Sequence, residues 1–330
     1  MRAVTVRQGA VGENELQLEE IDQYRRELTG YCYRMLGSAF QADDAVQETV
    51  VRAWKARDSF EGRSAVRSWL YRIATNVCLD LLRGRQRRAR PMDLGPSSTA
   101  DTALSSQPEN TWVTPIPDAS VMPVDGDPAD MAATRETIRL AFVAALQHLP
   151  ARQRAVLILR EVLRWQASEV ADLLDTSVAS VNSALQRARA TLDARDLSAA
   201  TTSGDAAGHE ALLAAYVDAF ERYDIARLVT LLRDDAVMSM PPFELWLQGP
   251  SEISRFFVGQ GIGCKDSRLL ATSASGCAAF GSYKPDGRGG RSPWALQVIE
   301  VEDGRIVGHH NFLDTNLFGL FGLPDHLPPE

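Results

Sequence analysis

Long apolar runs are missing from this chain of 330 residues: none approaches the roughly 20 residues a membrane-spanning helix needs, so no membrane partner is expected. Cysteine is scarce. Cys32, Cys78, Cys264 and Cys277 lie far apart, with neither the close pairs of a zinc site nor the density of a disulfide scaffold. Reduced thiols, no metal and no cofactor are expected. The first 20 residues carry scattered charge and no apolar centre, which does not read as a secretory leader, and a cytoplasmic location is expected. Positive charge is also in deficit, 35 Lys and Arg against 43 Asp and Glu, leaving a net charge of -8. Taken alone that argues against a nucleic-acid partner, because phosphate neutralisation dominates affinity for DNA.

The deficit is unevenly spread. Residues 83–90, RGRQRRAR, hold five arginines, whereas residues 91–134 hold no Lys or Arg, seven acidic residues and seven prolines. Such a change marks the basic end of a folded block followed by an acidic, flexible linker. The length fits two or three compact domains, since single cores stop growing at about 250–300 residues.

Apolar residues recur at helical spacing from about Leu16 to Arg90, with a loop expected at Phe60–Ser64. Helical periodicity resumes near Asp130. Pro150 is placed to open a helix, and the segment from Trp165 to Arg189 reads as two helices joined by a tight turn, with Val170, Leu173, Leu174, Val178, Val181 and Leu185 inward. After a small-residue stretch the character becomes mixed. Helices near Glu210–Arg222 and Ile225–Arg233 precede alternating runs at Leu296–Val301 and Arg305–Leu313, joined by a turn containing Asp303-Gly304.

Two strings are informative. The run from Asp43 to Trp54, DDAVQETVVRAW, followed by Ser68 to Asn76, SWLYRIATN, resembles region 2 of extracytoplasmic-function sigma factors, and the run from Leu149-Pro150 to Arg189 resembles their region 4. The resemblance implies a promoter-recognition subunit that binds core RNA polymerase through its β and β′ subunits, and promoter DNA. It implies no enzymatic activity. The expected organisation is a flexible N-terminus (1–15), an all-α region 2 (16–90), an acidic Pro-rich linker (91–134) and an all-α helix-turn-helix region 4 (135–197). A second linker (198–208) and an α+β cone (209–330) follow.

By that resemblance Asp43, Asp44, Val46, Gln47, Glu48, Val50 and Trp54 dock on the β′ coiled coil. Asp44 and Glu48 are four apart and so neighbours on a helix surface; a solvated acidic face is the plainer alternative, and Val46, Val50 and Trp54 in matching register favour docking. For the minus-ten element, capture of an unpaired base needs polar donors, an apolar wall and arginines along the backbone path. Arg63, Arg67, Ser68, Tyr71, Arg72, Asn76 and Asp80 supply those types. Trp69 and Ile73 read as core, while Tyr71 and Asn76 divide evenly between base contact and domain structure. The Arg83–Arg90 cluster would follow a DNA backbone or enter the polymerase channel.

In a helix-turn-helix the second helix enters the major groove. Its residues here are Ser177, Ser180, Asn182, Ser183 and Gln186, with Arg187 and Arg189 for phosphates. Asp175 stands where relatives commonly carry glycine, and Asn182 and Ala184 where they commonly carry basic residues. Weak DNA binding without polymerase is expected. The linker string Thr111 to Asp118, TWVTPIPD, is similar to a tryptophan-proline motif of sigma factors with C-terminal extensions.

The last third resembles the SnoaL-like branch of the nuclear-transport-factor-2-like fold. Candidate pocket residues are Tyr216, Met238, Met240, Trp246, His309, His310 and Asn311, with a small-molecule ligand conceivable and a regulatory role for the domain. Strict alternation pairs His310 with Ile306 and Phe312, so one histidine at most faces inward, where a satisfied core role outweighs catalysis. Two rival readings stand beside the sigma factor: an isomerase or hydrolase using the cone, and a helix-turn-helix regulator acting without polymerase.

Overall fold

The computed structural model describes residues 18–60, 65–125, 127–193 and 206–329. The N-terminal segment 1–15, Arg63 and most of the linker 198–208 lie outside them.

The first helical block comprises α1 (Leu18–Asp22), α2 (Arg25–Leu36), α3 (Ala39–Ala56) and α4 (Val66–Leu82). Gly37 ends α2 in the left-handed region at φ 67°, returning its N–H to Tyr33 O. Ser38 then opens α3 by accepting the Gln41 N–H at 3.4 Å. Leu28, Tyr31, Met35, Val46, Leu70 and Ala74 close the core between these helices.

The second block comprises α5 (Pro128–Ile138), α6 (Leu140–Leu146), α7 (Ala151–Leu157), α8 (Ala167–Leu173) and α9 (Val178–Asp193). Asp127 caps α5 by accepting from Ala129 N at 2.8 Å, so this helix starts inside the expected linker. Pro150 immediately precedes α7, as its fixed φ favours. Arg154, 4% exposed, donates to Gln147 O and Leu149 O at 3.1 Å each and to Met35 O, tying the two blocks together.

In the C-terminal domain α10 (Ala206–Glu221) and α11 (Ile225–Thr230) lead into β1 (Leu232–Ser239) and β2 (Trp246–Gln248). Next come α12 (Pro250–Val258), β3 (Arg268–Ala274), β4 (Cys277–Pro285), β5 (Arg291–Glu302), β6 (Arg305–Phe312) and α13 (Leu317–Leu320). The sheet order is β2-β1-β6-β5-β4-β3, with β1 parallel to β6 and the other pairs antiparallel. Asp303 and Gly304 turn β5 into β6 with φ of 46° and 71°, as a two-residue hairpin demands. No described helix is long and apolar enough to cross a membrane.

The expected flexible linker is instead an ordered strap. Ala89 N donates to Thr111 O at 2.8 Å and Val113 N to Ala89 O at 3.0 Å. Further along, Ser98 N reaches Trp246 O, Gln107 N reaches Pro242 O and Thr114 N reaches Gly37 O. Three causes combine. Trp112, Val113 and Ile116 are buried; backbone groups find partners on both neighbouring domains; and seven prolines reduce the entropy lost on ordering.

Candidate functional sites

On α3 the helical period separates two faces. Ala42, Ala45, Val46, Thr49 and Ala53 are buried, while Asp43, Asp44, Gln47, Glu48, Val51 and Trp54 are exposed. Gln47 Nε2 donates to Asp43 Oδ2 at 2.7 Å and Arg52 Nε to Glu48 Oε1 at 2.6 Å. The Arg57 guanidinium lies 4.1 Å above the Trp54 ring. Val46, expected on the docking face, is fully buried in the core, and Val50 packs half-buried against it. Val51, 44% exposed one turn before Trp54, belongs to the open face in their place. An apolar residue three positions from an exposed tryptophan was the available signal.

On α4 the expected DNA-opening residues divide. Ser68 is half-buried, whereas Arg72, Asn76 and Asp80 face outward, Asp80 lying 3.3 Å from Arg83 and 3.8 Å from Arg52. Tyr71 is fully buried, its hydroxyl donating to Glu27 Oε1 at 2.9 Å and its ring 5.1 Å from Tyr31 and 5.0 Å from Trp165. Burial first, then the adjacent Glu27 carboxylate, pushes its pKa well above the usual phenol value. In this arrangement Tyr71 is a core residue, covered in part by Trp165. Arg67 is engaged beside it with its side chain still 39% exposed: its Nε donates to Glu27 Oε1 at 2.8 Å, and its guanidinium lies 5.1 Å above Trp165 and 5.5 Å above Tyr71. Trp165 precedes α8, and Arg72 also reaches this block by donating to Asp172 O at 3.0 Å.

The helix-turn-helix stands open. Ser177, Ser180, Asn182, Ser183, Gln186, Arg187 and Arg189 are all exposed, while Val181, Leu185 and Ala188 seal α9 against its neighbours. Ser177 caps α9, its Oγ accepting the Ser180 N–H at 3.1 Å. Arg187 donates to Ser183 Oγ at 2.6 Å, and Arg189 pairs with Glu161 at 2.6 Å. Val178 was expected inward but is 44% exposed, because the first residue of α9 lies outside the helix seam. Asp175 occupies the turn at φ 50°, a conformation that favours glycine.

In the C-terminal domain the strands part the two histidines against the expected pattern. The β5–β6 register shifts between Val301↔Ile306 and Glu300↔Gly308, leaving Val307 as the extra residue of a bulge. His309 consequently faces the same side as Ile306, where Tyr216 donates to Gln297 Oε1 at 2.7 Å and lies 3.0 Å from His309 Nε2. Phe257 stacks on the His309 ring at 5.9 Å, and Phe220 and Phe280 meet Tyr216, so aromatic rings fill this side. Burial, with His310 adding to it, drops the His309 pKa to about 3. His310 lies on the opposite face, its Nδ1 2.8 Å from Ser239 Oγ and its Nε2 3.6 Å from Glu300 Oε2. Burial opposes the Glu300 charge, but His310, Arg90 and Arg139 together hold its pKa down at about 2. Trp246 donates to Gly95 O at 3.0 Å and so meets the strap, while Met240 is half-buried against the core. Tyr216, Met240, Trp246 and His310 do not gather into one pocket.

The Sigma-70 region 2 family matches residues 21–88, Sigma-70, region 4 matches 139–192 and the SnoaL-like domain matches 213–309. The ECF RNA polymerase sigma factor SigG of Mycobacterium tuberculosis is 46% identical over 311 residues, 93% of this chain and 83% of SigG. The chain belongs to the ECF RNA polymerase sigma factors. SigW of Bacillus subtilis is 27% identical over 187 residues, 57% of this sigma factor and 92% of SigW. The crystal structure of M. tuberculosis SigJ has the same fold, with a TM-score of 0.58 at 21% identity over 93% of this chain and all of that one.

This sigma factor binds core RNA polymerase and promoter DNA and is not an enzyme. Both sigma domains and the SnoaL-like domain were legible as such. What no local pattern revealed is their mutual contact: Glu27, Arg67, Tyr71 and Trp165 assemble from three separated stretches of sequence.

Proposed function

We propose that the described arrangement is the closed, polymerase-free state of the sigma factor, in the cytoplasm, and that polymerase opens it. The observation that carries this reading is Trp165 of region 4 packed on Arg67 and Tyr71 of region 2, with Arg72 bound to Asp172 O beside it. A base-capturing surface cannot form while these side chains are so engaged. In the open state Arg67, Ser68, Arg72, Asn76 and Asp80 line the minus-ten path. Ser180, Asn182, Ser183, Gln186, Arg187 and Arg189 read and hold the minus-thirty-five element, with Ser177 setting the start of that helix. The acidic α3 face, with Val51 and Trp54 at its apolar end, docks on the β′ subunit.

The C-terminal domain regulates opening through the strap, which it holds by Ser98, Ala100, Gln107 and Ile116. Transcription from a genomic fragment library with core polymerase tests the whole reading. Full-length protein directs defined start sites, and a chain ending before residue 209 directs the same sites at a changed rate. Absence of any promoter-specific transcript from both proteins would overturn it.

A further inference from the structure

The five arginines at the end of region 2 do not form a loose basic tail. Arg85, Arg87 and Arg88 line a cleft of about 660 Å³ together with Arg154 of α7, Gln41 of α3 and Asn110 of the strap. No Asp or Glu is among the residues lining it, in a chain whose net charge is -8. Arg88 and Arg154, 8% and 4% exposed, form its inner wall, and Arg85 and Arg87 are exposed at its mouth.

The inner arginines are satisfied only by neutral groups. Arg88 donates to Trp112 O at 2.6 Å, and Arg154 donates to three backbone carbonyls and the Gln147 side chain, its Nε buried without a partner. Carbonyls take up hydrogen bonds but do not cancel charge. Burial, with Arg85 adding to it, brings the Arg88 pKa down to about 10, and burial does the same for Arg154. Both shifts come chiefly from burial, with no carboxylate among the described residues beside either guanidinium to offset it.

We propose that this cleft is a binding site for a small, multiply phosphorylated anion. Tetrahedral phosphates present many acceptors to guanidinium and amide donors, and the volume lies within the range of about 300–1,000 Å³ that small-molecule sites occupy. A DNA backbone fits less well, because Arg88 and Arg154 are 8% and 4% exposed and only Arg85 and Arg87 stand open at the surface. The walls come from region 2, the strap and region 4, so the site exists only while the three are together. An anion bound there favours the closed state, a consequence that rests on the closed-state reading above.

Isothermal titration of full-length protein with inorganic tripolyphosphate and with ATP, at about 0.15 M salt, tests the site. One-site saturable binding is expected, weakened about tenfold or more by combined Arg85→Gln and Arg87→Gln, and unchanged by Arg83→Gln outside the cleft. Neither exposed substitution removes a contact of the hydrophobic core, but Arg87→Gln gives up the contact of Arg87 Nη1 with His148 Nδ1, so a thermal melt of the double variant accompanies the titration. No saturable binding at millimolar ligand, equal binding by the double variant, or binding of single-stranded DNA alone would each overturn the proposal. Holoenzyme assembly measured with and without tripolyphosphate separates the two claims. Slower assembly supports the coupling, whereas unchanged assembly with intact binding keeps the site and removes the coupling.

Discussion

The Tyr33 hydroxyl of region 2 lies 3.2 Å from Ser275 Oγ in the β3–β4 turn of the C-terminal domain, 242 residues away in sequence. The strap passes between them: Tyr33 donates to Thr114 O at 2.9 Å, Ile116 N donates to Ser275 Oγ at 3.2 Å and Ser275 N donates to Ile116 O at 2.9 Å. Beside this knot Gly276 N donates to Asp118 Oδ1 at 2.8 Å, under Arg135 of α5. Every domain touches this one turn.

Gly276→Ala is the narrowest way to loosen it. A Cβ there would lie 2.7 Å from Arg135 O and 2.5 Å from Arg135 Cγ, at a φ of 75°. A loss of about 1–3 kcal/mol is expected, read as earlier protease cleavage within the strap at unchanged helix content. An unchanged cleavage rate would show that the turn does not hold the strap.

Trp165→Ala removes the ring that covers Arg67 and Tyr71. Large aromatic truncations cost about 3–5 kcal/mol, here taken mainly from the contact between regions 2 and 4. Free variant protein should bind single-stranded minus-ten DNA at least about tenfold more tightly than the parent chain. Fluorescence anisotropy measures this, and equal affinity would count against the closed-state reading.

The α3 face allows a paired test. Trp54→Ala with Asp44→Lys alters exposed groups and should leave the melting temperature within a degree or two while reducing polymerase affinity about tenfold or more. Val46→Asp buries a charge in the region 2 core and should unfold that domain. Pull-down with core polymerase, set beside thermal melts, distinguishes docking from folding; normal binding by the first variant would relocate the docking face.

Acid stability of the C-terminal domain should depend on His309. Its imidazole is held near pKa 3 when folded, against about 6.5 when unfolded. The unfolded chain therefore takes up a proton first as pH falls. Stability is whole above about 6.5 and falls by up to about 1.4 kcal/mol per pH unit down to about 3. The Glu300 pKa of about 2 confines its own loss to pH below its ordinary value of about 4.3. Urea unfolding of parent protein and His309→Gln at pH 7 and pH 5 thus isolates the histidine. The parent should lose stability over that interval and the variant should not.

Much of this was readable in the sequence wherever a local rule governs. The spacing of Asp44 and Glu48 put them on one helix face, and Asp303-Gly304 marked the hairpin turn. Rules with a fixed period failed where one residue breaks the count. Val307 interrupts the β5–β6 ladder, so alternation assigned His310 to the side that His309 occupies. Composition misled at the strap, because acidic and proline-rich segments stay loose only when nothing nearby accepts their backbone and apolar groups. Tyr71 lacked any local sign of its fate: its partner Trp165 lies in another domain, and only tertiary packing brings the rings to 5.0 Å.

Fully extended, residues 91–125 would reach about 120 Å, yet they lie folded along the surfaces of two domains. The chain thus stores slack. In the proposed opening, regions 2 and 4 part only as far as the strap comes free, and its three short 3-10 turns at Pro91–Asp93, Glu109–Thr111 and Asp118–Ser120 unwind as it extends. On the proposed reading, region 2 and the C-terminal domain, which both grip the strap, together set the length of the leash and with it how far apart the two promoter-reading domains can stand.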